Sequence, residues 1–194
     1  WMVYNVIMTF EQSSFRARKN TNGTRGFTLI ELLVVIAIIG LLAAVVLVNI
    51  ANARKKAQIV KAQTDLQAIT RMSMAAQANT GLPLMQLTGS NCTDCGCRDG
   101  LSHINDTGAC YTTWVAALTS IKNASGGYLS NVENLKRDPW GSPYMLDENE
   151  GEGGGCNYDQ IQSAGPDGIW NNADDVFGPT IGAQTGAIPH AVCP

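Results

Sequence analysis

From Phe27 to Val48 the chain runs through 22 residues with a single charge, Glu31. At about 1.5 Å per residue, a helix of that length crosses the hydrocarbon core of a bilayer. Beyond the run the pattern changes. Ile59, Ala62, Leu66, Ile69, Met72 and Ala76 recur at spacings of three and four, with Lys61, Asp65 and Arg71 among the positions between them. One apolar face set against polar positions predicts an amphipathic helix. It continues the first helix to about Asn79, where Gly81 and Pro83 supply a stop signal. The helix so predicted has about 53 residues and a length of roughly 80 Å, apolar all round in its first half and on one face in its second.

The remainder carries weaker patterns. Residues 81–123 are loop-rich, and Trp114, Val115, Leu118 and Ile121 predict a short helix. The turn-forming run Asp138-Pro139-Trp140-Gly141-Ser142-Pro143 leads into a predicted strand from Tyr144 to Leu146. A second strand is predicted around Tyr158 to Gln162, with Glu148 to Gly155 as the loop between them. These elements describe an α+β protein: a long N-terminal helix whose outer half packs on a small antiparallel sheet head.

Composition fits that outline. The 194 residues, 45% hydrophobic and 15% charged, leave room for one globular domain and one additional element. Collagen-like and disordered classes are excluded. The net charge of −3 gives no basic excess to hold a nucleic-acid backbone. Ahead of the apolar run, Arg16, Arg18, Lys19 and Arg25 face one acid, Glu11. A secretory signal would have a shorter apolar core followed by a small-residue cleavage site, and neither is present. Arg54, Lys55, Lys56 and Lys61 balance the basic residues in front, so charge bias alone leaves orientation open. The sequence opens on Trp1, and Met8 is the expected start.

The segment Arg25-Gly26-Phe27-Thr28-Leu29-Ile30-Glu31, continuing Leu-Leu-Val-Val-Ile-Ala-Ile-Ile-Gly40, resembles the leader and N-terminal helix of type IV pilins and type II secretion pseudopilins. The resemblance implies that a prepilin peptidase cuts after Gly26 on the cytoplasmic side and methylates the new amine of Phe27. It implies three regions: a cleaved leader at 1–26, a transmembrane and stalk helix at 27–80, and a head at 81–194. A lone carboxylate in a membrane helix costs roughly 2.5–3.5 kcal/mol at the helix centre. The family likeness gives Glu31 a use, pairing with the Phe27 amine of a neighbouring subunit and so rewarding one axial register. The alternative is a carboxylate near the helix end that reaches toward headgroups. Where the family often has Pro near the end of the span, Val48 stands here.

Cys92, Cys95, Cys97, Cys110, Cys156 and Cys193 all follow the span, and an even number in an exported head suggests disulfides. Cys156 with Cys193 is one expected pair. Zinc bound by Cys92, Cys95, Cys97 and Cys110 is the alternative. From Asp138 onward the 57 residues contain nine acids and no Lys or Arg, an imbalance that calls for a cation. Within this stretch, Ser163-Ala-Gly-Pro-Asp167-Gly-Ile-Trp-Asn-Asn-Ala-Asp174-Asp175 resembles the calcium loop of major pseudopilins. Calcium takes six to eight oxygen ligands. The resemblance implies Asp167, Asp174 and Asp175 as ligands, with Asn171 and Asn172 nearby and Gly165 and Gly168 opening the loop. An acidic solvated turn without an ion is the alternative.

His103 and His190 are the only histidines, and no nucleophile elbow or phosphate-binding loop appears, so enzyme activity is not expected. The expected protein is a structural subunit, single-pass in the bacterial inner membrane with its head outside, that joins copies of itself and other pilin-like subunits in a surface or periplasmic filament. A minor pilin acting as an adhesin or DNA-capturing protein is the alternative. Its charge speaks against DNA: without residues 1–26, 9 basic and 15 acidic residues give −6.

Overall fold

The computed structural model describes residues 26–90, 92–98, 100–102, 104–148, 158–181 and 184–188. The chain divides into two compact units, 1–46 and 47–194, and the boundary falls inside the first helix, α1 (Leu29–Thr80).

In the first unit the large apolar side chains of α1 are all exposed, Leu29 by 89%, Ile36 by 60% and Val46 by 52%. Its most apolar 18-residue window buries nothing. An apolar surface of that size needs lipid or other helices as its solvent. The helix begins with a reciprocal cap. The Thr28 N–H and Oγ1 both donate to Glu31 Oε2 at 2.9 Å, and the Glu31 N–H returns to Thr28 Oγ1 at 3.3 Å.

The second unit is the head together with the outer part of α1. Ala62, Leu66, Ile69, Met72 and Ala76 are fully buried, as their spacing predicts. Two expectations for this face fail. Ile59 stays 41% exposed, beside a groove that it lines with Pro166, Asp174 and Phe177. Asp65, read as a polar-face residue, is buried, because Tyr144 reaches over to donate to its Oδ2 at 2.7 Å. Lys61 Nζ meets the same oxygen at 2.6 Å.

The helix ends at Thr80, one residue past the predicted end at about Asn79 and directly before the Gly81 stop signal. Gly81 takes φ 67° while its N–H closes on the Gln77 carbonyl at 2.8 Å. A short α2 (Leu84–Thr88) follows, unforeseen in the sequence. The predicted short helix is α3 (Ala109–Ala124), which starts earlier than its apolar residues do. Trp114 of α3 is buried edge-on to Tyr144, with ring centroids 6.1 Å apart, and its indole N–H reaches the Leu135 carbonyl at 3.1 Å.

The main sheet is antiparallel throughout. β2 (Asp159–Ser163) is central, pairing with β1 (Met145–Asp147) on one edge. The two-residue strands β3 (Val176–Phe177) and β6 (Ala187–Ile188) pair with it on the other. β4 (Thr180–Ile181) and β5 (Gln184–Thr185) form a separate hairpin. The two predicted strands each lie one residue later than expected. Glu148, expected to open the loop between them, is buried instead and accepts from the Thr93 N–H at 2.7 Å and Thr93 Oγ1 at 2.6 Å. The Asp138 turn, which precedes β1 in the chain, is tied to the end of β2. Its Oδ1 accepts from the N–H groups of Trp140 (3.0 Å) and Ser142 (2.9 Å), and its Oδ2 from Ser163 Oγ at 2.5 Å.

Candidate functional site

Three places carry chemistry. At the start of α1, Gly26 has open space around it and Phe27 is 86% exposed, so the junction is accessible. Residues 1–25 lie outside the described residues. Glu31 holds its own helix end through Oε2, a role that the Thr28-x-x-Glu31 spacing signals on its own.

The second place is the cysteine segment. Cys92 pairs with Cys95 and Cys97 with Cys110, with Cα–Cα distances of 5.3 and 5.4 Å. This pairing replaces the zinc alternative, since the four sulfurs are joined to one another. Cys156 and Cys193 lie outside the described residues, as do His103 and His190. Ligand atoms of Cys92, Asp94, Cys95 and Asp147 gather within 4.8 Å, yet a cation is already in place there. Arg98 Nη2 donates to Asp94 Oδ1 at 3.3 Å and to Asp147 Oδ2 at 3.0 Å. Burial pushes the Asp94 carboxyl up to about 6, partly offset by the Arg98 charge and reinforced by Asp147 and Glu148.

The third place is the acidic loop between β2 and β3. Gly165 takes φ 64°, and a Cβ there would run into the Asp174 carbonyl, so the loop's two ends touch. Asp167 Oδ1 accepts from the Ile169 N–H at 2.8 Å and its Oδ2 from Asn172 Nδ2 at 2.9 Å. Asn172 Oδ1 accepts from the Asp174 N–H at 3.1 Å. Asp175 Oδ2 accepts from the N–H of Asn171, a residue at φ 65°. Asp175 Oδ1 is buried without a hydrogen-bond partner among the described residues. Burial raises the Asp175 carboxyl above its ordinary range, backbone donors at Asn171 and Asn172 oppose this, and the charges of Asp174 and Asp167 add to it. Among the described residues Asp167, Asp174 and Asp175 do not come together at metal-ligand spacing as the Cys92 and Asp94 group does, but the orphaned Asp175 oxygen and the two neighbouring carboxylates are donors of the kind a hard, oxygen-seeking dication takes.

An α+β head on a long helix that opens with an exposed apolar span and a Gly-Phe junction defines a pilin-type subunit. The prokaryotic N-terminal methylation motif matches residues 21–47. Type II secretion system core protein G of Escherichia coli (strain K12) is 34% identical over 80% of this chain and 91% of that protein. The Klebsiella pneumoniae protein of the same name is 32% identical over 82% and 97%, and that of Pectobacterium carotovorum subsp. carotovorum is 30% identical over 87% and 88%. No solved structure matches the chain. The chain belongs to the type II secretion core protein G family and is a pseudopilin-type structural subunit.

Proposed function

We propose that this chain is cut by a prepilin peptidase between Gly26 and Phe27, methylated at the new amine, and held in the inner membrane by α1 with its head outside. From there it joins copies of itself and other secretion subunits in a type II secretion pseudopilus. The observation that carries the reading is the exposed apolar surface of α1 opening on one carboxylate. Through Oε2, Glu31 caps its own helix, and Oε1, without a partner among the described residues, is available to the Phe27 amine of a neighbour. The minor-pilin alternative has no comparable support. Mass spectrometry of the N-terminus tests processing, with methylated Phe27 expected. Recovery of filaments whose chains keep residues 1–26 would defeat it. Glu31→Ala should be processed and inserted but fail to assemble, and wild-type filament yield from that variant would remove the registration role.

The loop from Gly165 to Asp175 is the proposed calcium site, with Asp167, Asp174 and Asp175 as its carboxylate ligands. The buried, unpartnered Asp175 oxygen supports this. Bound calcium would neutralise carboxylates that otherwise repel one another, and so fix the connection between β2 and β3.

A further inference from the structure

The acidic loop leans on the cysteine segment. Trp170, at the loop's midpoint, packs with Ile104 and Cys110 against a small buried cluster of Cys97, Leu101, Met145 and Ala164 that is separate from the main core. The Arg98 guanidinium lies over the Trp170 ring, 4.6 Å from its centroid. Its other contacts, to Asp94 and Asp147, fix it in place. The Leu101 N–H donates to the Gly168 carbonyl at 2.9 Å. Gly168 comes so near the backbone of Ser102 that a Cβ would not fit. The Cys97–Cys110 bond ties the residues making these contacts to the first turn of α3. All of these contacts fall at Gly168 and Trp170, between Asp167 and the Asp174–Asp175 pair.

We propose that Cys97, Arg98 and Leu101 form a brace for the ion loop, in which Arg98 and Leu101 are positioning residues and the Cys97–Cys110 bond anchors them. The inference rests on the calcium reading of the loop. The brace limits how far Asp167 can move from Asp174 and Asp175 before the ion arrives. Without it the mutually repelling carboxylates spread, and the ion must first close the loop, which lowers its apparent affinity in proportion to the closed fraction. Groups that orient metal ligands without touching the metal typically contribute 10- to 100-fold in affinity. Nothing in the local sequence of 165–175 encodes this dependence, because its source lies some seventy residues earlier.

The test is calorimetric titration of the full chain in detergent micelles with calcium chloride, alongside melting of the calcium-free protein. Cys97→Ser combined with Cys110→Ser, and separately Trp170→Leu, should each raise the calcium Kd by about 10- to 100-fold. Thr119→Ala, on an exposed position of α3, should leave it unchanged. If the double cysteine variant does not fold, Trp170→Leu, which keeps both disulfides, decides the matter. Variants that melt earlier without calcium yet bind the ion with wild-type Kd would overturn the brace and leave the calcium site standing. A wild-type chain that takes up no calcium would overturn both.

Discussion

Asp65 lies on a helix position that patterning assigns to water, and it is buried because Tyr144 and Lys61 both serve its Oδ2. A hydrogen bond to a charged acceptor contributes about 1.5–3 kcal/mol. Tyr144→Phe should lower stability by that order, with the near-ultraviolet melting transition moving down and the far-ultraviolet helix signal unchanged at room temperature. Asp94 makes the opposite kind of contribution. Its carboxyl is raised from 3.8 to about 6, so between those values the folded chain holds a proton that the unfolded chain has released. Stability therefore falls as pH rises through roughly 4 to 6. The groups facing it are Arg98, Asp147 and Glu148, and Glu148 and Asp138 are also pushed upward by burial. Asp94→Asn should flatten that part of the pH profile while Arg98 keeps Asp147, as melting temperatures at pH 4.5 and 7.5 would reveal. A profile as steep as wild type would show that Asp94 is not the source.

At the scale of elements, the outer half of α1 is secured to the head by one stripe. Leu66→Ala, at a fully buried position of that stripe, should cost about 2–5 kcal/mol, read as an earlier thermal transition of the head with membrane insertion unaffected. This stripe was legible in the sequence because burial on one side of a helix writes itself as a repeat of three and four. Glu31 was legible for a related reason, since one charge in an apolar run stands out against its neighbours. Elements held by partners distant in sequence were not legible. β3 and β6 have two residues each, too few to display alternation, and exist because β2 offers them an edge. Arg98 over Trp170 and Tyr144 on Asp65 join positions about seventy to eighty residues apart, where no local pattern connects them. Ile59 shows the converse, a helical repeat that continues past the last layer of the head able to cover it.

For the molecule as a whole, the proposed ion binds only the folded loop and so stabilises the fold by mass action, about 2.7 kcal/mol when free calcium is a hundredfold above Kd. Calcium should raise the melting temperature, magnesium should do less because it holds its waters in a tight octahedron, and Asp167→Ala or Asp174→Ala should abolish the shift. Glu150→Ala, outside the loop, should keep it. A melting temperature indifferent to calcium and chelator would leave an acidic turn. The loop's two hinges have a separate consequence for how such a chain diverges over generations. At Gly165 and Gly168 any side chain displaces backbone, that of Asp174 in one case and Ser102 in the other. Ile169 and Ala173, by contrast, face solvent. Drift is thus closed at the hinges whatever ion the loop holds and open beyond them, so descendants of this sequence can alter what the loop binds far more readily than where it bends.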